Sequence, residues 1–190
     1  FNGEVPAAGE YQPIDNDAFA ELKSIKSSLS DNLDNFHFRE ALKDAMNIAR
    51  LGNKYLQETE PWKVAKSDMA RTATILNVAA QMCANIAVAF EPFMPFMSKK
   101  LRGMLGMNEI NWDELGRNDL IPAGRHLGEA ELLFDKIEDA AIEAQIKRLE
   151  DNKRQNMIDA WTVAPQAEDV DFDTFMKADL RVGTVLECKK

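Results

Sequence analysis

Pro61-Trp62-Lys63, with Lys66 just after it and Lys54 before it, is the stretch whose residue types fit a definite chemistry. A flat indole held by the rigid ring of a preceding proline is a platform on which an unstacked nucleobase can lie. Lysines beside it suit phosphates, contacts that position an RNA without reading its sequence. A plainer reading stands beside this one: a tryptophan after a proline at a helix junction plugs a core, and lysines form a solvated face. The other reactive residues do not converge. His37 and His126 are the only histidines, and neither lies in a catalytic pattern. Cys83 and Cys188 form no Cys-x-x-Cys pair and have no histidine at ligand spacing, so neither a disulfide framework nor a zinc site follows. Cys83 lies in the apolar run Val78 to Cys83 and reads as a core thiol. The carboxylate pairs Asp113-Glu114 and Glu138-Asp139 read as surface charge. No catalytic residue, metal ligand or cofactor is assigned.

The elements that must position Trp62 are helical. Gly and Pro punctuate residues 1–13, which read as an extended lead-in. Asp15-Asn16-Asp17 offers caps for a helix whose apolar stripe is Phe19, Leu22, Ile25, Leu29 and Leu33. Asp34-Asn35 offers caps for a second helix running from about Phe38 to Leu56 and stopping before Pro61, because proline disfavours helical geometry in the residue before it. A third helix after Ser67-Asp68 carries Met69, Ile75, Leu76, Ala79, Met82, Ile86 and Phe90 with few charges, the mark of a central helix. Glu91 to Pro95 breaks it and opens a fourth helix that stops around Gly103 to Gly106. Residues 108–131 read as a long surface connection. A last helix, about Phe134 to Asn156, puts Ile137, Ala141, Ile142, Gln145 and Leu149 on one inward stripe. Trp112 and Trp161 fit no binding pattern and read as packing residues, as do Met94, Met97, Met104 and Met107.

These patterns predict an all-α fold, an antiparallel helix bundle with a short C-terminal strand-like tail. The divisions are a lead-in at residues 1–14, a bundle at 15–160, a linker at 161–171 and a truncated module at 172–190. β-branched residues around Gly183 favour a strand at Leu180 to Leu186, which has no partner of its own. The formal net charge is −9, which argues against a non-specific nucleic-acid coat but not against a local site. From Arg39 to Lys66 six basic residues face four acidic ones. With no secretory leader at Phe1 to Glu4 and no unbroken apolar stretch of about 20 residues, a soluble, cytoplasmic protein away from membranes is expected.

Three stretches resemble one family. Asn53 to Lys63 resembles the helix end and Pro-Trp turn of class I synthetase anticodon domains, Leu132 to Glu138 the opening of their last bundle helix, and Phe175 to Gly183 the start of an appended OB-fold tRNA-binding module. Their order is similar to that in methionyl-tRNA synthetases. The resemblance implies a bundle of the class I anticodon-binding type, in which Trp62 stacks on a base of the CAU anticodon of methionine tRNA and Pro61 holds it. Lys54, Lys63 and Lys66 are the candidate backbone contacts. It further implies that ATP and Mg serve a separate catalytic domain, whose His-Ile-Gly-His and Lys-Met-Ser-Lys-Ser type motifs are not in this sequence, so no aminoacylation by these residues alone is expected. The family's other anticodon readers, an asparagine and an arginine, are expected upstream of Phe1. Its complete C-terminal module implies a homodimer of the parent protein. The alternative is a helical spacer without RNA specificity of its own.

Overall fold

A computed structural model describes residues 1–107, 111–163, 165–179 and 181–188. The elements are α1 (Pro13–Asp34), α2 (Phe38–Thr59), α3 (Pro61–Val64), α4 (Met69–Ala89), α5 (Pro95–Met104), a 3-10 turn (Trp112–Glu114), α6 (Asp139–Asp159) and α7 (Phe172–Phe175). The chain divides into two units, Phe1–Asp135 and Lys136–Lys190.

In the first unit α1 and α2 form an antiparallel hairpin. Near its closed end Asp44 of α2 accepts from Ser28 and Asn32 of α1, and at its open end Tyr55 meets Asp15. The expected stripe faces the core: Phe19, Leu22 and Leu29 are buried, and Ile25 and Leu33 pack beside them. The caps differ from expectation. Pro13 opens α1, with its fixed φ preset for a first helical position, and Asp15 lies within the helix rather than before it. Likewise α1 runs through Asp34, and Phe36 at φ 60° reverses the chain, so α2 starts after His37 without a side-chain cap.

Asp15 is fully buried and saturated with donors. The Tyr55 hydroxyl donates to Oδ1 at 2.6 Å, the Arg71 guanidinium grips both oxygens, and the Gln12 N–H donates to Oδ2 at 2.9 Å. One carboxylate thus joins the start of α1, the end of α2 and the start of α4. Burial alone would raise its pKa, but the hydrogen bonds from Arg71, Tyr55 and Gln12 outweigh that and hold it below the usual carboxylate range. Burial and the neighbouring Asp15 charge push the Tyr55 phenol up, so it stays a protonated donor.

α4 starts after Ser67-Asp68 as expected, and Asp68 caps it, accepting from the Arg71 N–H at 2.8 Å. The helix is long and apolar enough to cross a membrane by length and composition, yet most of it is buried inside the protein, as suits the central helix of a bundle. Four of its buried polar residues follow one stripe. Thr74 accepts from the Gly9 N–H at 2.9 Å, and Asn77 donates to the Pro6 carbonyl at 2.8 Å. Gln81 exchanges two bonds with the Ile121 backbone at 2.7 and 3.0 Å. Asn85 donates to the Arg117 carbonyl at 2.9 Å and accepts from the Gly116 N–H at 2.7 Å. The lead-in and the 111–128 segment are therefore docked on α4, which corrects the reading of a purely surface connection. Val5, Leu115 and Ile121 are buried, Glu4 and His126 form an isolated antiparallel bridge, and Trp112 packs against the core. Met97 is buried, Met94 and Met107 are partly so, and Gly106 at φ 61° turns the chain out of α5. Cys83 is half-buried, and desolvation pushes its thiol up.

In the second unit α6 starts at Asp139 rather than near Phe134, so Ile137 precedes it, and the stripe expected to point inward, Ile137, Ala141, Ile142, Gln145 and Leu149, is exposed. Trp161 is 72% exposed, so the packing role expected of it is not seen. Asp171 caps α7, accepting from the Thr174 N–H at 2.8 Å and its hydroxyl at 2.9 Å. Residues 181–188 form no β-strand, and Leu180 lies outside the described residues.

Three outcomes are expected in urea unfolding. Asp15→Ala leaves the Arg71 guanidinium, only 12% exposed, without its counter-charge and should cost about 3–5 kcal/mol. Because Asp15 titrates lower folded than unfolded, its stabilisation is complete above the unfolded carboxylate value of ~3.9 and is lost as pH falls through the folded one. Acid should therefore weaken the unsubstituted chain more steeply than Asp15→Asn. Separately, Gln81→Leu strands two buried backbone groups of Ile121 and should cost about 2–4 kcal/mol, read as a lower urea midpoint at unchanged slope.

Candidate nucleic-acid interface

The turn that carries Trp62 is built from the last residues of α2 upward. Thr59 is buried and donates its hydroxyl to the Tyr55 carbonyl at 2.7 Å, closing the helix. Glu60 adopts φ 42°, ψ 56°, a left-handed geometry that costs a non-glycine residue about 1–2 kcal/mol. Its carbonyl accepts from the Lys63 N–H at 2.8 Å and the Val64 N–H at 3.2 Å, which starts α3 at once with Pro61 in the first position. Pro61 and Val64, three apart, share the inward face: Pro61 is buried and Val64 packs against the core. Trp62 and Lys63 are left on the outer face, and Trp62 is 56% exposed.

The indole is therefore not a core plug. It stands on a single helical turn fixed at both ends, by the buried Pro61 and by the Asp68 cap of α4. Lys66 is exposed on the same connection, and no ion pair involving it is found among the described residues. Lys63 pairs with Glu60 at 2.6 Å on the exposed surface, an interaction worth at most about 1 kcal/mol and easily exchanged for another anion. Lys54 is separate in character. It lines a shallow cleft between α1 and α2 together with Asp17, Glu21 and Glu58. Pro61, Trp62, Lys63 and Lys66 thus come together on one turn, while Lys54 stands among carboxylates.

The residues left aside as unreactive stay apart. His126 lies 3.8 Å from Glu4 beside the bridge, and His37 precedes α2. Glu114 is engaged by Arg117 and Glu138 by Lys136. Among the described residues no group of three or more His, Cys, Asp or Glu side chains converges as a metal-ligand set.

What sequence reasoning missed is the support of the turn, the carboxylate shared by Asp15, Tyr55 and Arg71. A signal for it existed. Arg71 is the single charged residue of α4, and Asp15 falls on the same stripe as Phe19 and Leu22, so each is a charge where the pattern calls for none.

Known proteins bear directly on this arrangement. Residues 5–154 match the family described as the anticodon binding domain of methionyl tRNA ligase. The chain is 54% identical over 190 residues to a methionine–tRNA ligase of Bacteroides fragilis strain YCH46, and 55% identical over 191 residues to one of Porphyromonas gingivalis strain ATCC 33277. Both alignments take in all of the chain but 28% of the relative, so the chain spans little more than a quarter of the length of these relatives. Apo Mycobacterium tuberculosis methionyl-tRNA synthetase shares the fold at a TM-score of 0.63 and 22% identity, over 72% of this chain and 28% of that one. The same enzyme bound by methionyl-adenylate gives 0.62 and 23%, over 70% and 27%. With a family match over most of its length and a helical fold shared with the solved synthetases, the chain belongs to the anticodon-binding domains of methionyl-tRNA ligases.

Proposed function

We propose that the chain binds the anticodon arm of methionine tRNA, with Trp62 as the stacking platform for a base of the CAU anticodon and Pro61 as its rigid mount. The observation that carries this reading is the exposure of the indole on a turn whose backbone is held from beneath. A preordered platform loses little conformational freedom on binding, so most of the stacking energy appears as affinity. Lys63 and Lys66 flank it as phosphate partners; Lys54 is a weaker candidate for that role, since three carboxylates share its cleft. A spacer with no RNA role would have no need of an exposed indole on a strained turn.

The parent reaction is ATP-dependent charging of tRNA with methionine, in which ATP and Mg serve a catalytic domain that is the bundle's covalent partner. No step of that chemistry is assigned to the residues of this chain. A cytoplasmic setting and a homodimer through a complete C-terminal module belong to the same proposal.

The test is titration of the chain with a stem-loop RNA carrying CAU and with one whose loop is permuted. CAU should bind more tightly, and Trp62→Ala should cost about 1–3 kcal/mol of that affinity and remove the preference. Equal binding of both loops, or an unchanged Kd in Trp62→Ala, sinks the reading.

A further inference from the structure

On the solvent side of α2, the sequence carries Arg39, Lys43, Arg50 and Lys54. At 3.6 residues per turn these four fall within an arc of roughly 60°. That arc lies opposite the buried face of Ala41, Ala45, Ile48 and Tyr55. The helix's acidic residues, Glu40, Asp44 and Glu58, fall outside it, on the flank where Asp44 meets α1. All four cations are exposed, and among the described residues none of them has an ion-pair partner; Arg50 donates to Asn47 at 2.8 Å. The other long helices with charged outer faces differ. Along α1 Glu21 and Asp31 flank Lys23 and Lys26, and along α6 Glu143 and Glu150 flank Lys147 and Arg148. Along α5 Lys99, Lys100 and Arg102 have no acid on the helix itself, but Glu131 pairs with Lys100 and Glu91 with Arg102. Among the described helices, the stripe on α2 stands out as one-sign and without ion pairs on a chain of net charge −9.

Its placement matters as much as its sign. The stripe runs from Arg39, at the far end of α2, to Lys54, close to the turn that bears Trp62. At 1.5 Å per residue it covers about 22 Å, with axial steps of about 6, 10 and 6 Å. An RNA hairpin whose loop meets Trp62 has its double-stranded stem leading away from that point, and each strand of that stem is a row of evenly spaced phosphates. We infer that the outer face of α2 is a track for the phosphate backbone of the bound RNA's stem, with Arg50, Lys43 and Arg39 as successive contacts beyond Lys54. This rests on the anticodon-arm reading above and extends it from the loop to the stem. The contacts carry no sequence information; they fix the direction in which the stem leaves the Trp62 turn.

Counterion release gives a test that a merely solvated face does not pass. Each phosphate neutralised adds about 0.9 to the slope of log K against log salt for a duplex. The combined variant Arg39→Ala, Lys43→Ala, Arg50→Ala is compared with the unsubstituted chain across a salt series. A control, Lys99→Ala, Lys147→Ala, Lys153→Ala, removes the same charge elsewhere. Two probes are used: the CAU stem-loop, and the same loop sequence as a single strand without a stem. The expected result is a slope smaller in magnitude by about 2–3 for the stem-loop in the first variant, little change in the control, and unchanged discrimination of CAU from a permuted loop. Thermal unfolding confirms that both variants fold. If the first variant and the control move the slope alike, or if the loss is as large for the single strand as for the stem-loop, the track is overturned while the reading of Trp62 stands. If the unsubstituted chain binds neither probe, the anticodon-arm reading fails and the track with it.

Discussion

A single buried carboxylate sets the geometry from which everything else is hung. Asp15 has no access to water, and a charge in that position persists only if donors replace the hydration it has lost. Tyr55, Arg71 and the Gln12 N–H do so, and they come from three different elements. Apolar side chains along α1, α2 and α4 would tolerate a slide of a fraction of a turn with some repacking. A carboxylate gripped by a guanidinium and a phenol does not, because a small slide leaves a buried charge partly unpaired. The network therefore fixes the axial register of three helices at one end of the bundle. That end is where α2 stops and Trp62 emerges, seven residues beyond Tyr55.

The opposite problem, how to hold irregular chain against a helix, is solved along α4. Loop backbone laid on an apolar surface would bury N–H and C=O groups without partners. The stripe Thr74, Asn77, Gln81 and Asn85 supplies those partners at helical spacing. The lead-in and the segment around Leu115 to Ile121 thus gain a buried face without secondary structure of their own. α4 is consequently buried by helices on one side and by tethered loops on the other, which is how a helix of near-membrane hydropathy suits a bundle of this size.

The sequence makes the helices legible because their stripes are long and their breaks are prolines. Phe19, Leu22 and Leu29 point inward as their spacing requires, and Pro61 ends α2 for the reason expected. Local signals misled where tertiary contacts decide. Asp15 does help cap α1, from the third helical position, by accepting from the Gln12 N–H, yet its distant partners Tyr55 and Arg71 draw it into the core, and no local rule anticipates a bond across 56 residues. Asp34-Asn35 resembles a helix start, but the αL turn at Phe36 places the reversal two residues later. The 111–128 segment carries loop residues and behaves as a loop, and its burial depends on amides of α4 that look, in sequence, like ordinary polar interruptions. The Trp62 turn was legible in its residue types, and the resemblance implied the exposed indole over the core plug; that Glu60 is left-handed is seen in the backbone geometry alone.

Electrostatics at the interface is governed by distance rather than by total charge. At physiological ionic strength the Debye length is about 8 Å, so an exposed cation and a phosphate in contact feel each other while carboxylates two helical turns away are largely screened. A net charge of −9 consequently weakens long-range attraction of a polyanion without forbidding a bound state at a cationic stripe. The acidic residues that count are the near ones, Glu40, Asp44 and Glu58 on the flanks of α2 and Asp17 and Glu21 of α1 beside Lys54. Asp44 is occupied by Ser28 and Asn32 across the α1–α2 hairpin, which ties one of the three flanking negative charges to hydroxyl and amide donors and away from the outer face. The hairpin contact that sets the register of α1 and α2 at their closed end thus also shapes the field above α2, so packing and charge are arranged by the same side chain.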